Sequence, residues 1–243
     1  FKAGIPTVSD TIVRFKGIAV QANNRFYVSR NGINNNPQKF GGPDDAILQF
    51  LANDQWISTV PVVTSIGEFR DYFKKPQGIA TQVQPPQTER LFVDEVFSFT
   101  SIDPNTVFKV QGIEFIETAR GASFNQVPYE FLDTALTDRI LYEPFRFERP
   151  TDVTYGPVGS GIFFVVDAGK DSVYQFNDDG YEGITPPQNI NTDRIINLSF
   201  GGTGTGLTQF NEPRGVAYLR DILFVADAGN GRILRFSLTT DFD

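Results

Sequence analysis

The chain has 243 residues, 40% of them hydrophobic and 14% aromatic, which is ample apolar material for one β-rich domain with a sizeable core. Its net charge of −8 argues against a nucleic-acid partner, because neutralising phosphates takes a strong basic field. With neither His nor Cys, it can build no Ser-His-Asp or Cys-His nucleophilic system and no disulfide framework.

A single pattern is spelled out four times in chain order. Each unit opens on a short turn: Phe15-Lys16-Gly17-Ile18-Ala19, Pro76-Gln77-Gly78-Ile79-Ala80, Pro150-Thr151-Asp152-Val153-Thr154 and Pro213-Arg214-Gly215-Val216-Ala217. An apolar run ending in a small polar residue follows: Phe26 to Ser29, Leu91 to Asp94, Phe164 to Asp167, Phe224 to Asp227. A third run alternates apolar and polar residues: Ile47 to Phe50, Val107 to Val110, Val173 to Phe176, Ile233 to Phe236. Alternation at this period predicts strands, and the 24 Phe residues suit a pleated, half-buried surface. Units of this length cannot bury their faces alone, so they stack on one another in a single domain spanning 1–243.

The remaining segments connect these units. Ile5 to Val8 precede the first inner strand, and pairing them with the last unit, which ends too soon for a fourth strand, would remove an exposed sheet edge. The spacing of Phe131, Ala135, Leu136 and Ile140 predicts one short inserted helix within Pro128 to Tyr142. The stretch 111–149 has room for a further degenerate blade, so five or six blades stand beside the count of four. No run approaches the roughly 20 apolar residues of a membrane span.

Three constellations carry the functional options. Asp94, Asp167 and Asp227, with Ser29 in the first unit, end equivalent strands; they read as turn-forming carboxylates rather than as a Ca²⁺ ring. Gly201 to Gly206 lead into a strand rather than a helix, so they read as a connector and not as a phosphate loop. Cations precede every inner strand: Arg14 and Lys16, Lys74 and Lys75, Arg146 and Arg149, then Arg214. Equivalent positions in stacked repeats gather on one face, so these residues are the candidate docking face for an anionic ligand or partner.

The last unit, from Gly201 through Pro213-Arg214-Gly215-Val216-Ala217 to Asp227-Ala228-Gly229-Asn230-Gly231-Arg232-Ile233, resembles an NHL repeat, and the third matches it through Val166-Asp167-Ala168-Gly169. That resemblance implies a β-propeller of four-stranded blades around a channel. Similar propellers include gluconolactonase-like hydrolases, which imply Glu, Asn and Asp ligands around a channel metal, and peptidyl-hydroxyglycine lyases, which rely on His. Here the inner strands carry one acidic residue, Asp152, and the chain has no His. The expectation is therefore a non-catalytic binding module or assembly subunit with no cofactor and a protein partner. A lactonase-like hydrolase or lyase using carboxylate-bound Ca²⁺ is the alternative. A start without Met, zero Cys and an acidic balance suit a processed extracytoplasmic protein of the bacterial surface or periplasm, with a possible lipid anchor upstream.

Overall fold

The computed structural model describes residues 14–21, 25–32, 45–60, 74–82, 93–118, 121–126, 141, 143–157, 160, 162–177, 180, 182–183 and 199–238. Within them the protein is all-β, with fifteen strands in four antiparallel sheets of propeller-blade type. Blade 1 runs β1 (Arg14–Val20), β2 (Phe26–Asn31), β3 (Ala46–Phe50) and β4 (Trp56–Val60) in simple up-and-down order. Blade 2 repeats this with β5 (Pro76–Gln82), β6 (Val93–Ser101), β7 (Val110–Thr118) and β8 (Gly121–Gln126). Blade 3 has β9 (Pro150–Tyr155), β10 (Phe163–Asp167), β11 (Ser172–Phe176) and β12 (Phe200–Gly201). Blade 4 has three strands, β13 (Pro213–Leu219), β14 (Ile222–Asp227) and β15 (Arg232–Ser237). Blades 1 and 2 make one compact unit, and blades 3 and 4 make another.

Each inner strand starts with the same irregularity. The register shifts between Phe15 and Ile18, between Pro76 and Ile79, and between Pro213 and Gly215. In blade 3, Pro150 and Asp152 face the consecutive residues Asp167 and Val166, which marks the same bulge. A bulge leaves backbone groups off the ladder, and side chains take them up. The Ser29 hydroxyl accepts the Gly17 N–H at 2.7 Å, and the Thr100 hydroxyl accepts the Gly78 N–H at 3.0 Å. Ser29 also donates to the Gln77 carbonyl of the neighbouring inner strand, fastening blade 1 to blade 2. The two inner strands approach so closely there that a Cβ on Gly17 would sit 2.6 Å from the Gln77 oxygen. Only glycine fits.

Packing between blades 3 and 4 is apolar. Phe164, Val166 and Val173 of blade 3 meet Val216, Leu223 and Val225 of blade 4, together with the fully buried Phe210 from the segment before β13. Burying each such side chain stabilises by about 1.5–3 kcal/mol.

The register corrects several sequence expectations. In blade 2 the second strand is Val93–Ser101, so Asp94 stands near its start, and Ser101 takes the position opposite Pro76 that Asp227 takes opposite Pro213. The reason is that pairing is set by the bulge at Gly78, while the Leu91 to Asp94 run matched the repeat in the wrong phase. In blade 1 the equivalent of Asp167 and Asp227 is Arg30, opposite Phe15, and Ser29 aligns with Thr100 instead. The third strand of blade 2 is likewise later than Val107 to Val110, and residues 111–126 supply the outer strands of blade 2 rather than a further blade. The expected helix falls on residues that, Leu141 apart, lie outside the described residues over 128–140, and so do Ile5 to Val8.

Candidate functional site

The lead-ins to the inner strands are shaped by buried carboxylates. Asp167, fully buried, accepts N–H groups from Glu148 at 2.7 Å, Arg149 at 2.8 Å and Gly169 at 2.9 Å. Asp227, also fully buried, accepts the Asn211 N–H at 2.7 Å, the Asn230 amide at 2.8 Å and the Arg232 Nε at 2.7 Å. Burial pushes the Asp227 carboxyl up, but the Asn211, Asn230 and Arg232 donors outweigh it and hold its pKa below the ordinary value. Both carboxylates therefore tie the chain ahead of the inner strand to the end of the second strand.

A second pair of carboxylates escaped sequence reading. Asp45 precedes β3, and Asp171 occupies the same register position before β11. Each reaches into the next blade of its own unit. Asp45 accepts the Lys75 N–H at 3.0 Å, and Asp171 accepts the Glu212 N–H at 2.8 Å. Lys75 and Glu212 each stand just before the proline that opens an inner strand, and both are left-handed, with φ of 44° and 46°. Non-glycine residues pay for that conformation, and the bond from the preceding blade is what holds it. The legible signal was an acidic residue directly before the third run in both units: Asp45-Ala46-Ile47 and Asp171-Ser172-Val173.

The seven candidate cations divide sharply. Arg146 is withdrawn from the surface: its guanidinium bonds Glu182 and, at 2.8 Å, Glu143, and lies 5.4 Å from the ring centres of both Tyr174 and Phe176. That arrangement is a buried structural pair, not part of a docking face. Arg149 and Arg214 remain exposed but share one carboxylate, Glu212, at 3.3 and 2.9 Å. The hydrogen bonds and charges of Arg214 and Arg149 lower the Glu212 pKa. In the unit of blades 1 and 2, Arg14, Lys16, Lys74 and Lys75 are all exposed, and among the described residues none of their charged side-chain groups forms an ion pair with a carboxylate. They sit at the start of two adjacent inner strands, beside exposed Phe15 at 55%.

Other sequence candidates take local roles. Arg232 donates to the Thr205 and Gly206 carbonyls of the loop Gly201 to Gly206 at 2.7 and 2.8 Å, and to the Gln209 carbonyl just beyond it at 2.9 Å. A loop occupied by a cation through its oxygens is the reverse of an anion cradle. At Asn177 the chain turns with the Gly180 N–H bonded back to the Asn177 carbonyl at 3.0 Å, and Gly180 has φ of 81°. Asp152 takes the bulge position that glycine fills in the other three blades. One of its oxygens accepts the Val216 N–H of β13 at 2.9 Å, and the other its neighbour Val153 at 3.0 Å. Burial raises its pKa to about 6 against the pull of those two N–H groups. Among the described residues no three of His, Cys, Asp and Glu gather as metal ligands, and no helix is long and apolar enough to cross a membrane.

No protein-family model matches the chain, and no curated protein does. Among solved structures it is similar to a virginiamycin B lyase from Staphylococcus aureus, with 13% identity, 93% of this chain and 52% of that one covered, and a TM-score of 0.41. It is similar to an auxiliary nutrient binding protein from Bacteroides thetaiotaomicron, with 12% identity, 90% and 46% covered, and a TM-score of 0.42. A streptogramin B lyase structure is similar at 13% identity, 97% and 72% covered, and a TM-score of 0.36. The chain spans about half the length of the first two. Likenesses this distant carry no argument about ligand or reaction.

Proposed function

We propose that this chain is a non-catalytic, NHL-type propeller module that docks an anionic partner, another protein within a larger assembly, on the edge where its inner strands begin. The observation that carries the reading is the grouping of exposed cations at the starts of adjacent inner strands in a chain of net charge −8. Concentrated positive charge on an otherwise acidic molecule steers an acidic partner and orients it, through charge-assisted hydrogen bonds. The backbone there is held by the buried carboxylates Asp45, Asp167 and Asp227 and by the half-buried Asp171, so the side chains project from a rigid frame.

The test is recovery of the native assembly with wild-type protein and with Arg14→Glu and Arg214→Glu together. The reading expects an acidic protein that is recovered stoichiometrically by wild type, lost with the double reversal, and released as salt rises, since the Debye length is about 8 Å at physiological ionic strength. A partner retained through both changes would overturn it.

A further inference from the structure

The two units carry the same lead-in geometry with opposite charge at one position, and that difference identifies where an outside carboxylate belongs. Arg14 corresponds to Arg149, because each is followed by the residue that faces Arg30 or its equivalent Asp167. Lys75 corresponds to Glu212: each stands before the strand-opening proline, each is left-handed, and each gives its N–H to the preceding blade's aspartate. In the unit of blades 3 and 4, the Glu212 carboxylate reaches across to Arg149 of the neighbouring blade and also takes Arg214. In the unit of blades 1 and 2, the equivalent position holds Lys75 and the equivalent of Arg149 is Arg14, so both members of the pair are cations. Lys16 and Lys74 add two further cations, and among the described residues none of the four charged side-chain groups forms an ion pair with a carboxylate. Apolar surface continues along the same strand, with Ile18 and Val20 each 62% exposed beyond Phe15.

Resting on the docking reading above, we infer that the docking site lies in the unit of blades 1 and 2, and that its partner is an acidic protein segment carrying apolar residues. The segment's carboxylates take the place between Arg14 and Lys75 that Glu212 fills internally in the other unit, and its apolar residues lie along Phe15, Ile18 and Val20. The unit of blades 3 and 4 is closed to such a segment because its arginines are already satisfied. Exchange of one residue type at one lead-in position thus decides which unit is receptive.

The experiment titrates a fluorescein-labelled Glu-rich peptide containing Phe against the full chain, with a control peptide in which every Glu is Gln. Expected are saturable binding of the Glu peptide alone, about tenfold weakening by each of Arg14→Glu and Lys75→Glu, and no change with Arg235→Ala, an exposed cation on β15 away from the lead-ins. Glu212→Lys is expected to open a second site of the same kind. These side chains are exposed, and unchanged thermal unfolding of the variants shows that folding is intact. Loss of binding through Arg149→Ala and Arg214→Ala with Arg14→Glu and Lys75→Glu silent would overturn this inference and leave the docking reading standing. No binding, or binding indifferent to all four residues and to salt, would overturn both. Equal displacement by inorganic phosphate would make the site a small-anion site and overturn the acidic segment.

Discussion

At the scale of single residues, position 152 is the most telling. Blades 1, 2 and 4 place glycine at the inner-strand bulge, and blade 3 places a carboxylate that bonds the next blade's Val216. Its pKa, raised from 3.8 to about 6, ties stability to pH in a defined direction. The unfolded chain releases this proton first, so the contribution is fully present below about pH 4 and is lost as pH rises through 6, on the order of 3 kcal/mol in all. Asp152→Asn keeps an acceptor for Val216 and cannot ionise. The variant should therefore resist urea better than wild type at pH 7, and the two midpoints should converge by pH 4. Equal midpoints at both pH values would mean that Asp152 is ordinary in the folded state. Asp227, with its pKa lowered, works the other way, adding stability that is lost as pH falls through its folded value, but this is common to both proteins and cancels in the comparison.

At the scale of elements, the inner strands were legible and the second blade's middle strands were not. Pro76, Pro150 and Pro213 each open a strand as the repeat implied, because proline suits the first strand position and glycine or Asp152 marks the bulge two residues on. Asp94 misled because a small acidic residue after an apolar run is the shape of the repeat, while the strand itself is placed by its partner across the sheet. The inter-blade bonds of Asp45 and Asp171 were invisible for another reason: their partners lie 30 and 41 residues away, beyond any local pattern. The burial of Arg146 among Glu143, Glu182 and two aromatic rings was hidden likewise, since a cation in sequence does not announce its tertiary neighbours. Asp171→Ala should cost about 1–3 kcal/mol, because the Glu212 N–H and the Thr203 hydroxyl, 2.6 Å away, both lose their acceptor. Leu223→Ala, emptying a fully buried position between blades 3 and 4, should cost about 2–5 kcal/mol. Chemical unfolding measures both, and an Asp171→Ala midpoint equal to wild type would show that the inter-blade bond contributes nothing net.

At the scale of the whole molecule, the described blades fall into two compact units of two, and in each unit an aspartate just before the first blade's third strand, Asp45 or Asp171, crosses to the lead-in of the next blade. Local opening should follow that division. In native-state hydrogen exchange, Asp171→Ala is expected to lower protection in β13 to β15 while leaving β1 to β3 unchanged. Uniform loss of protection across all four blades would mean that the molecule opens as one. The crossing carboxylates also bear on how such a chain can lengthen. The position held by Asp45 and Asp171 is Gly231 in blade 4, where no described strand follows to receive a bond. Copying a single blade would duplicate a donor without its acceptor, or an acceptor without its donor. Copying two together preserves the bond intact, so duplication by twos is the event that leaves every left-handed lead-in supported.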